Sequence, residues 1–435
     1  MLATPARMTF VRRSALLPLA IVVACADGNE TGAGDGITVD AAPSRDAGPA
    51  PLPDPCADQT PACPAAPASM TEGGGLVAID RCAFPLTERD EWAARAGVVD
   101  DLAAALDQVG VAGVLGDLNR TAAPVGASAL PGDPPGVRQA FGWQAGDMSV
   151  AYWIPQGIDG GRVDGRKVLL VSWYYDLASD PGSTVEKGVR IAIVDATDPA
   201  SVRYRFALLV EPEVVDGRPS FGPVAVHAGG LAWVGRYLYV VHTGVGFRVF
   251  DLDRILRVDA SQDTIGRDAA TGRYHAHGYA YVVPQVDTIA HASACAPRFS
   301  FVSVDRTTSP PSLLSGEYDA ASIRGRLYRW PLDPATGRLQ VVGAGRVIAY
   351  EAWLAAHSHV QGALSLGDTV WLSSSKPAGT AGVLYRAKVG APSRSFGWID
   401  APEDLAYDPG DRTMWSLSEG LNARYVVGID AGAVD

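Results

Sequence analysis

An internal repeat constrains the fold of this chain more than any other feature of its sequence. The segment HAGGLAWVGRYLYVV from His227 aligns without a gap on HVQGALSLGDTVWLS from His359. His227 matches His359 and Gly230 matches Gly362, at a constant separation of 132 residues (359 minus 227). Such self-similarity is typical of folds that repeat one supersecondary unit.

Each copy continues as a turn, a second strand, a loop and a third strand. Related units begin near residues 154, 224, 287, 356 and 400, and the third has no clear inner strand. Units of four antiparallel strands that pack on their neighbours are typical of β-propellers. The sequence therefore predicts an all-β fold, with a propeller over 151–435. Five blades are favoured, six are possible if residues 111–150 form another, and a pair of β-sandwiches is the alternative.

Residues 71–150 are predicted to hold one helix and a closing segment. Trp92, Val99 and Leu102 belong to an apolar pattern at helical spacing, which predicts one amphipathic helix that ends near Gly110. A capping box of Thr87 and Asp90 would start this helix. The last repeat ends after its third strand, so we expect the segment 137–143 to add the missing outer strand and close the ring.

The first 24 residues have the layout of an export signal. Arg7, Arg12 and Arg13 precede an apolar run, 15–24, that ends at Cys25. A helix of about ten residues rises about 15 Å, roughly half of the hydrocarbon core of a bilayer. The run is therefore too short to be a fixed membrane span, and we interpret 1–24 as a signal peptide.

The residues Val22, Val23, Ala24 and Cys25 resemble the lipobox of bacterial lipoproteins. This resemblance implies a lipidated Cys25 at the mature N-terminus and an anchor in a bacterial membrane, outside the cytoplasm. An ordinary secretory peptide cleaved nearby is the alternative. From 25 to 70 the chain is rich in Ala, Pro, Asp, Gly and Ser, and too poor in apolar residues to offset its ordering entropy. We expect a disordered tether there.

The other four cysteines, Cys56, Cys63, Cys82 and Cys295, fit two disulfides in an oxidising compartment. Three pairings are possible. We favour Cys56 with Cys63, a short local loop, and Cys82 with Cys295, which would fasten the N-terminal segment to the domain.

The net charge of the chain limits its partners. A formal charge of −12 disfavours duplex nucleic acid and anionic lipid surfaces, because both repel an acidic body. Motifs of common enzymes, such as GxSxG, a Walker loop or HExxH, do not occur in the sequence. The sequence assigns no specific activity.

The candidate site follows from the repeat. In a propeller the starts of the innermost strands meet at one mouth of the central channel, which collects His227, His359, Gln156, Gln361, Glu403 and Asp404 as candidate ligand-binding residues. We favour hydrogen bonds that hold the blades in register. A divalent metal held by His227, His359 and Glu403 is the alternative, because imidazole and carboxylate suit such ions.

Two further groups of residues have a functional and a structural interpretation. The pairs His275 with His277 and His357 with His359 would each point to one side of an extended strand and could hold a metal, although loop histidines are favoured. Several aromatic residues could stack on sugars or, as we favour, fill the core between blades. These are Trp153, Trp173, Tyr174, Trp330 and Trp398.

The strand openings HxGGL, QGAL and PEDLAY resemble those of uncharacterised secreted bacterial β-propeller proteins over most of 150–435. That resemblance implies the fold alone, because propellers host many functions. The leading hypothesis is an anchored propeller that binds a protein, a glycan or a small ligand at its channel face, without catalysis. A metal-dependent hydrolase or lyase with its site in the channel is the alternative.

Overall fold

The computed structural model describes residues 52–89, 91–377 and 379–435, apart from the side chains of Ala93 and Ala344. The predicted signal peptide, Cys25 and the tether before residue 52 lie outside the described residues. Within these ranges, no helix has the length and apolar character needed to cross a bilayer.

Most strands belong to five four-stranded antiparallel units, here called blades 1 to 5. Blade 1 comprises Trp153–Val163, Arg166–Tyr175, Val189–Asp195 and Arg203–Val215, and blade 2 comprises Leu231–Val234, Tyr237–His242, Gly246–Asp251 and Tyr281–His291. Blade 3 comprises Phe299–Asp305, Ser312–Glu317, Arg326–Pro331 and Glu351–Leu354, and blade 4 comprises Val360–Leu366, Thr369–Ser374, Ala381–Lys388 and Ala391–Asp400. Blade 5 comprises Pro402–Asp408, Thr413–Ser418, Tyr425–Asp430 and, from earlier in the chain, Val137–Gly142.

The first strands of the blades pack on one another in cyclic order, from blade 1 through blade 5 and back to blade 1. The fold is therefore an all-β propeller, as the repeat predicts. Residues 111–150 do not form a sixth blade, because Arg120–Thr121 pairs with the outer strand of blade 1 and Val137–Gly142 is the outer strand of blade 5, with Ala123–Pro124 paired to it.

The ring is closed by a strand from the N-terminal part of the domain. Val137–Gly142 pairs with the third strand of blade 5, with Ala140 opposite Val427 and Phe141 opposite Val426. This is the pairing that we predict for 137–143. It joins the two ends of the propeller in one sheet and leaves no open edge between them.

The third repeat differs from its prediction. The third unit, predicted to begin near residue 287 without a clear inner strand, has its first strand further along the chain, at Phe299–Asp305. The region near residue 287 is the fourth strand of blade 2. The error arose because this blade lacks the His and Gly that precede or open the inner strands of blades 2 and 4.

Helices are few in the described ranges. They are α1, Trp92–Ala105, α2, Gly110–Leu115, and α3, Ala145–Ser149. The predicted capping box is wrong, because Thr87 lies in the strand Leu86–Glu88, paired with the fourth strand of blade 2. Helix α1 ends before Gly110, and it buries Val99 and Leu102 on the outer strands.

The remaining regular elements are short and lie outside the blades. The strands are Val77–Ala78, Leu86–Glu88, Arg120–Thr121, Ala123–Pro124, Arg218–Pro223, Leu256–Arg257, Ile265–Arg267, Tyr274–Ala276 and Arg346–Val347. The 3-10 helices are Arg81–Ala83, Ala127–Ala129, Leu177–Ser179, Leu252–Arg254, Gly343–Gly345 and Ala431–Val434.

The repeated glycines allow the inner strands to approach one another closely. A Cβ atom on Gly157 of blade 1 would lie 2.7 Å from the carbonyl carbon of Gly230 of blade 2. A Cβ on Gly230 would lie 2.2 Å from the backbone nitrogen of Val302 of blade 3, and one on Gly362 would lie 2.6 Å from the Cα of Asp404. The matched glycines are thus explained by blade-to-blade contact.

Polar side chains also join neighbouring blades. The Ser172 hydroxyl donates to the Ala228 carbonyl, and the Ser303 hydroxyl donates to the Ala363 carbonyl. The first bond connects blade 1 to the residues just before the first strand of blade 2. The second connects blade 3 to the first strand of blade 4. Because both partners are buried, losing either would leave an unsatisfied polar group in the core.

The favoured disulfide pairing is wrong. The structure joins Cys56 with Cys82 and Cys63 with Cys295, with Cα atoms 5.6 and 5.4 Å apart. Cys82 lies in the 3-10 turn Arg81–Ala83 and forms a small buried cluster with Cys56. Cys63 instead reaches Cys295, in the connection between blades 2 and 3. The predicted tether is therefore corrected for 52–70, which these two bonds fasten to the propeller.

Candidate functional site

Polar side chains from strand ends and from the loops beside them lie together at one end of the propeller. Antiparallel pairing places the start of each first strand beside the end of the second strand, as shown by Pro155 opposite Trp173 and Pro402 opposite Ser418. We call this end the mouth. The mouth cluster comprises eight residues at or beside these positions: Gln156, Tyr174, His227, Tyr318, His359, Gln361, Glu403 and Glu419.

Two glutamine–glutamate pairs connect the blades at the mouth. The Gln156 amide Nε2 donates to Glu419 Oε2 over 2.8 Å, which links blade 1 to blade 5. The Gln361 amide Nε2 donates to Glu403 Oε1 over 3.2 Å, which links blade 4 to blade 5. The predicted glutamines therefore meet carboxyl groups, one of which, Glu419, the sequence interpretation had missed.

The two carboxyl groups share a poorly hydrated environment. Glu403 is 2% exposed. Burial raises the pKa of Glu403 well above its ordinary value, and the charges of Glu419 and Asp404 add to this effect. Burial also raises the pKa of Glu419, although the Gln156 hydrogen bond and Arg424 oppose it. In the described ranges neither glutamate side chain forms an ion pair, so each carboxyl group keeps its proton to a higher pH than a free glutamate does.

Two tyrosines border this pair of acids. Burial and the charges of Glu419, Asp176 and Glu403 raise the pKa of Tyr174 to about 12. Burial, with Glu403 and Glu419 contributing, also raises the pKa of Tyr318. The Tyr318 side chain is 38% exposed, whereas Tyr174 is half-buried. Both phenols thus remain neutral hydrogen-bonding groups beside the two acids.

The two matched histidines occupy equivalent places beside these tyrosines. The His227 ring lies 4.3 Å from the Tyr174 ring, and the His359 ring lies 6.0 Å from the Tyr318 ring, between centroids. Burial lowers the pKa of His227, so its imidazole is neutral at neutral pH. The repeat therefore also includes a tyrosine beside each histidine, and these tyrosines lie outside the gapless alignment.

Asp404, in the first strand of blade 5, is fully buried. Its Oδ2 accepts hydrogen bonds from the backbone amides of Ile158 in blade 1 and Leu231 in blade 2, each over 3.2 Å. Its Oδ1 has no partner among the described residues. Burial raises the pKa of Asp404 well above its ordinary value. These contacts match the favoured interpretation, in which the residue holds blades in register.

The candidate metal ligands do not assemble in the part of the chain that the structure describes. No group of three or more His, Cys, Asp or Glu side chains there could hold an ion. His357 is buried and stacks on Tyr385, with ring centroids 3.8 Å apart. His359 has a φ of +58°, so the extended backbone that would align the two imidazoles is not present.

The other histidine pair has local partners. His275 Nδ1 lies 3.0 Å from the backbone carbonyl oxygen of Asp259, and His277 Nδ1 lies 3.0 Å from a carboxylate oxygen of Asp263. His277 also has a positive φ, +50°, so this pair is not extended either. Loop packing, the favoured interpretation, describes these residues.

The aromatic candidates divide between core and mouth. The four tryptophans are buried between strands, as favoured: Trp153, Trp173, Trp330 and Trp398. Tyr174 is the exception, because it lies at the mouth and is only half-buried. Tyr318 and Glu419, which the sequence interpretation did not select, directly follow second strands and could have been found from the strand register.

The raised pKa of Glu403 predicts how stability changes with pH. A carboxyl group with a raised folded-state pKa keeps its proton when the unfolded chain has lost it, so stability falls as pH rises above about 4. We expect Glu403→Gln to gain stability relative to wild type from about pH 4 upward. Each pKa unit between the folded and unfolded states contributes about 1.4 kcal/mol.

Urea unfolding between pH 4 and pH 8 measures this difference. The matched control is Glu213→Gln, which removes a carboxyl from an exposed hairpin. A constant difference between Glu403→Gln and wild type across this range would contradict the description of a neutral, buried acid.

Comparisons with known proteins found structural matches of low sequence identity. No family model matches the chain, and no curated protein matches it. Among solved structures, a GH43_1 enzyme from Xanthomonas citri complexed with xylose is 10% identical, with a TM-score of 0.33 over 77% of this chain and 92% of that one. RS223-Beta-xylosidase is 9% identical, with a TM-score of 0.29 over 64% and 91%. The Dos1 propeller is 11% identical, with a TM-score of 0.28 over 65% and 70%.

Proposed function

We propose that this protein binds a neutral glycan at the mouth cluster. The observation that carries the proposal is the pair of Gln–Glu contacts, Gln156 with Glu419 and Gln361 with Glu403, between two partly exposed tyrosines. Amides, neutral carboxyl groups and phenols are both donors and acceptors of hydrogen bonds, which suits the many hydroxyl groups of a sugar.

The charge of the cluster supports a neutral ligand. Its two carboxyl groups keep their protons to a higher pH than free glutamate does, and Arg424, the cation that acts on Glu419, is 2% exposed. The Arg424 guanidinium donates to the backbone carbonyls of Asp147, Val150 and Glu419. Arg424 is therefore not accessible as a counter-charge for an anionic sugar. The exposed ring of Tyr318 offers an apolar face against which a sugar can pack.

Binding to a panel of immobilised neutral oligosaccharides, followed by calorimetry with the best binder, tests this function. We expect Gln361→Ala and Tyr318→Ala each to weaken binding about tenfold or more, through one lost hydrogen bond or one lost ring contact. Glu213→Gln, outside the mouth, should leave the affinity unchanged. The proposal fails if no neutral oligosaccharide binds, or if the mouth variants bind as wild type does.

We also propose that the protein is exported and anchored by a lipid on Cys25. The support is the run of arginines and apolar residues before this cysteine, together with two disulfides, which form and persist in oxidising compartments. An anchored propeller would present its mouth to glycans outside the cytoplasm.

Replacing Cys25 by serine tests the anchor. A single cysteine is the site of the proposed acylation, so Cys25→Ser should move the protein from the membrane fraction to the soluble fraction and abolish its labelling by radioactive palmitate. Cys63→Ser, a change at a disulfide-bonded cysteine, is the matched control and should leave labelling intact. Equal labelling of the Cys25→Ser protein and wild type would refute the anchor.

A further inference from the structure

A second cavity, of about 700 Å³, lies away from the mouth. It is formed by the residues that follow helix α1, by the strand Arg218–Pro223, and by residues 257–274, in the connection between the third and fourth strands of blade 2. That connection leaves its blade at the end opposite the mouth, because the strands alternate in direction. None of the eight mouth-cluster residues lines this cavity.

Four arginines line this cavity: Arg218, Arg257, Arg267 and Arg273. We call it the arginine pocket. Arg273 forms an ion pair with Asp259 over 2.9 Å. The side chains of Arg218, Arg257 and Arg267 form no hydrogen bond or ion pair with any residue that the structure describes. Arg257 lies over the Tyr281 ring, 5.3 Å from its centroid.

The charge of the arginine pocket is opposite to that of the whole chain. Its four guanidinium groups face two lining carboxylates, Asp107 and Asp259, which leaves a local charge of +2 (4 minus 2) in a chain of net charge −12. Like charges on unpaired guanidinium groups repel one another. An anion placed among them would remove this repulsion.

The chemistry of the pocket indicates the class of anion. A guanidinium group donates through a planar fork that matches the oxygens of phosphate and sulfate. Three unpaired arginines from separate segments suit a tetrahedral group, whose oxygens point in several directions. The wall includes Leu106, Pro219 and the buried Tyr274, whose hydroxyl donates to the Pro219 carbonyl. This wall offers an apolar surface to the body of a ligand.

We propose that the arginine pocket binds a ligand through a phosphoryl or sulfate group. The arginine pocket shares no residue with the mouth cluster, so a negative result at one site leaves the proposal for the other unchanged.

Calorimetry with inorganic pyrophosphate and inorganic sulfate, on the detergent-solubilised full chain, tests the proposal. The test variant is Arg257→Gln with Arg267→Gln, which removes two unpaired guanidinium groups from the pocket. The matched control is Arg298→Gln with Arg324→Gln, which removes two exposed charges elsewhere. We expect the pocket variant to lose affinity for at least one anion about tenfold or more, and the control to retain it. Unchanged thermal unfolding of both variants shows that the fold is intact.

The phosphoryl group could belong to a soluble molecule or to a lipid headgroup, and vesicles containing phosphatidylglycerol distinguish the two. Full-length Cys25→Ser protein removes the proposed anchor from this experiment. Vesicle binding that pyrophosphate competes away, and that the pocket variant lacks, assigns the group to a headgroup. Pyrophosphate binding without vesicle binding assigns it to a soluble ligand. The proposal is overturned if neither anion binds in the millimolar range, or if both double variants lose affinity equally.

Discussion

Gly230→Ala should destabilise the propeller by at least about 3 kcal/mol, because the new methyl group would enter backbone that has no space to move. Its Cβ would lie 2.2 Å from the Val302 nitrogen and 2.7 Å from Phe301 atoms, in the first strand of the next blade. Neither neighbour is the end of a flexible side chain. Relief therefore requires blades 2 and 3 to separate, which disrupts the ring.

Urea unfolding measures this loss, and a second glycine of the same blade is the control. Gly244 is exposed, and a Cβ on it would have no heavy atom within 4 Å, so Gly244→Ala should change stability by less than about 0.5 kcal/mol. Equal stability of Gly230→Ala and Gly244→Ala would show that the inner strands do not pack as described.

Removing the disulfide between Cys63 and Cys295 should cost more stability than removing that between Cys56 and Cys82. The two bonds span 232 and 26 residues. A cross-link stabilises chiefly by restricting the unfolded chain, and the restriction grows with the logarithm of the loop length. We expect losses of about 5 kcal/mol for Cys63→Ala with Cys295→Ala and about 3.5 kcal/mol for Cys56→Ala with Cys82→Ala.

Unfolding of the two double variants in urea gives the order of the losses. Mass spectrometry of peptides from the unreduced protein provides the control, because it identifies the bonds directly. The account would be wrong if the short-loop variant lost more stability, or if peptides joined Cys56 to Cys63.

The architecture could be predicted largely because a propeller repeats its signals. The alignment of His227 with His359 placed the inner strands of blades 2 and 4, and the unfinished last repeat indicated closure by 137–143. Blade 3 was misread because its first strand, Phe299–Asp305, has no glycine at the matched position. A local sequence pattern identifies a blade only where the contacts of that blade require the same residues as those of the other blades.

The disulfides and the helix start could not be read from local sequence. Cys56 and Cys63 are close in the chain, yet each meets a partner that the path of the N-terminal segment brings to it. Thr87 resembles a helix cap, but strand pairing with blade 2 uses its backbone. In both cases tertiary contacts decided between local alternatives.

Five of the eight mouth-cluster residues followed from the rule that the starts of inner strands meet at the mouth, and the other three lie at the ends of second strands, which that rule leaves out. The starts of inner strands led to Gln156, Gln361 and Glu403, as well as to the histidines. The ends of second strands, which antiparallel pairing brings to the same edge, supply Tyr318 and Glu419. The burial that raises the pKa of Glu403 and Glu419 depends on the whole ring and is not encoded locally.

A crystal structure with the best-binding neutral oligosaccharide tests the central claim most directly. The account predicts a sugar at the mouth, with its hydroxyl groups within hydrogen-bond distance of Gln361 and Glu419 and one face against the Tyr318 ring. A sugar bound elsewhere on the propeller, with the mouth cluster untouched, would contradict it.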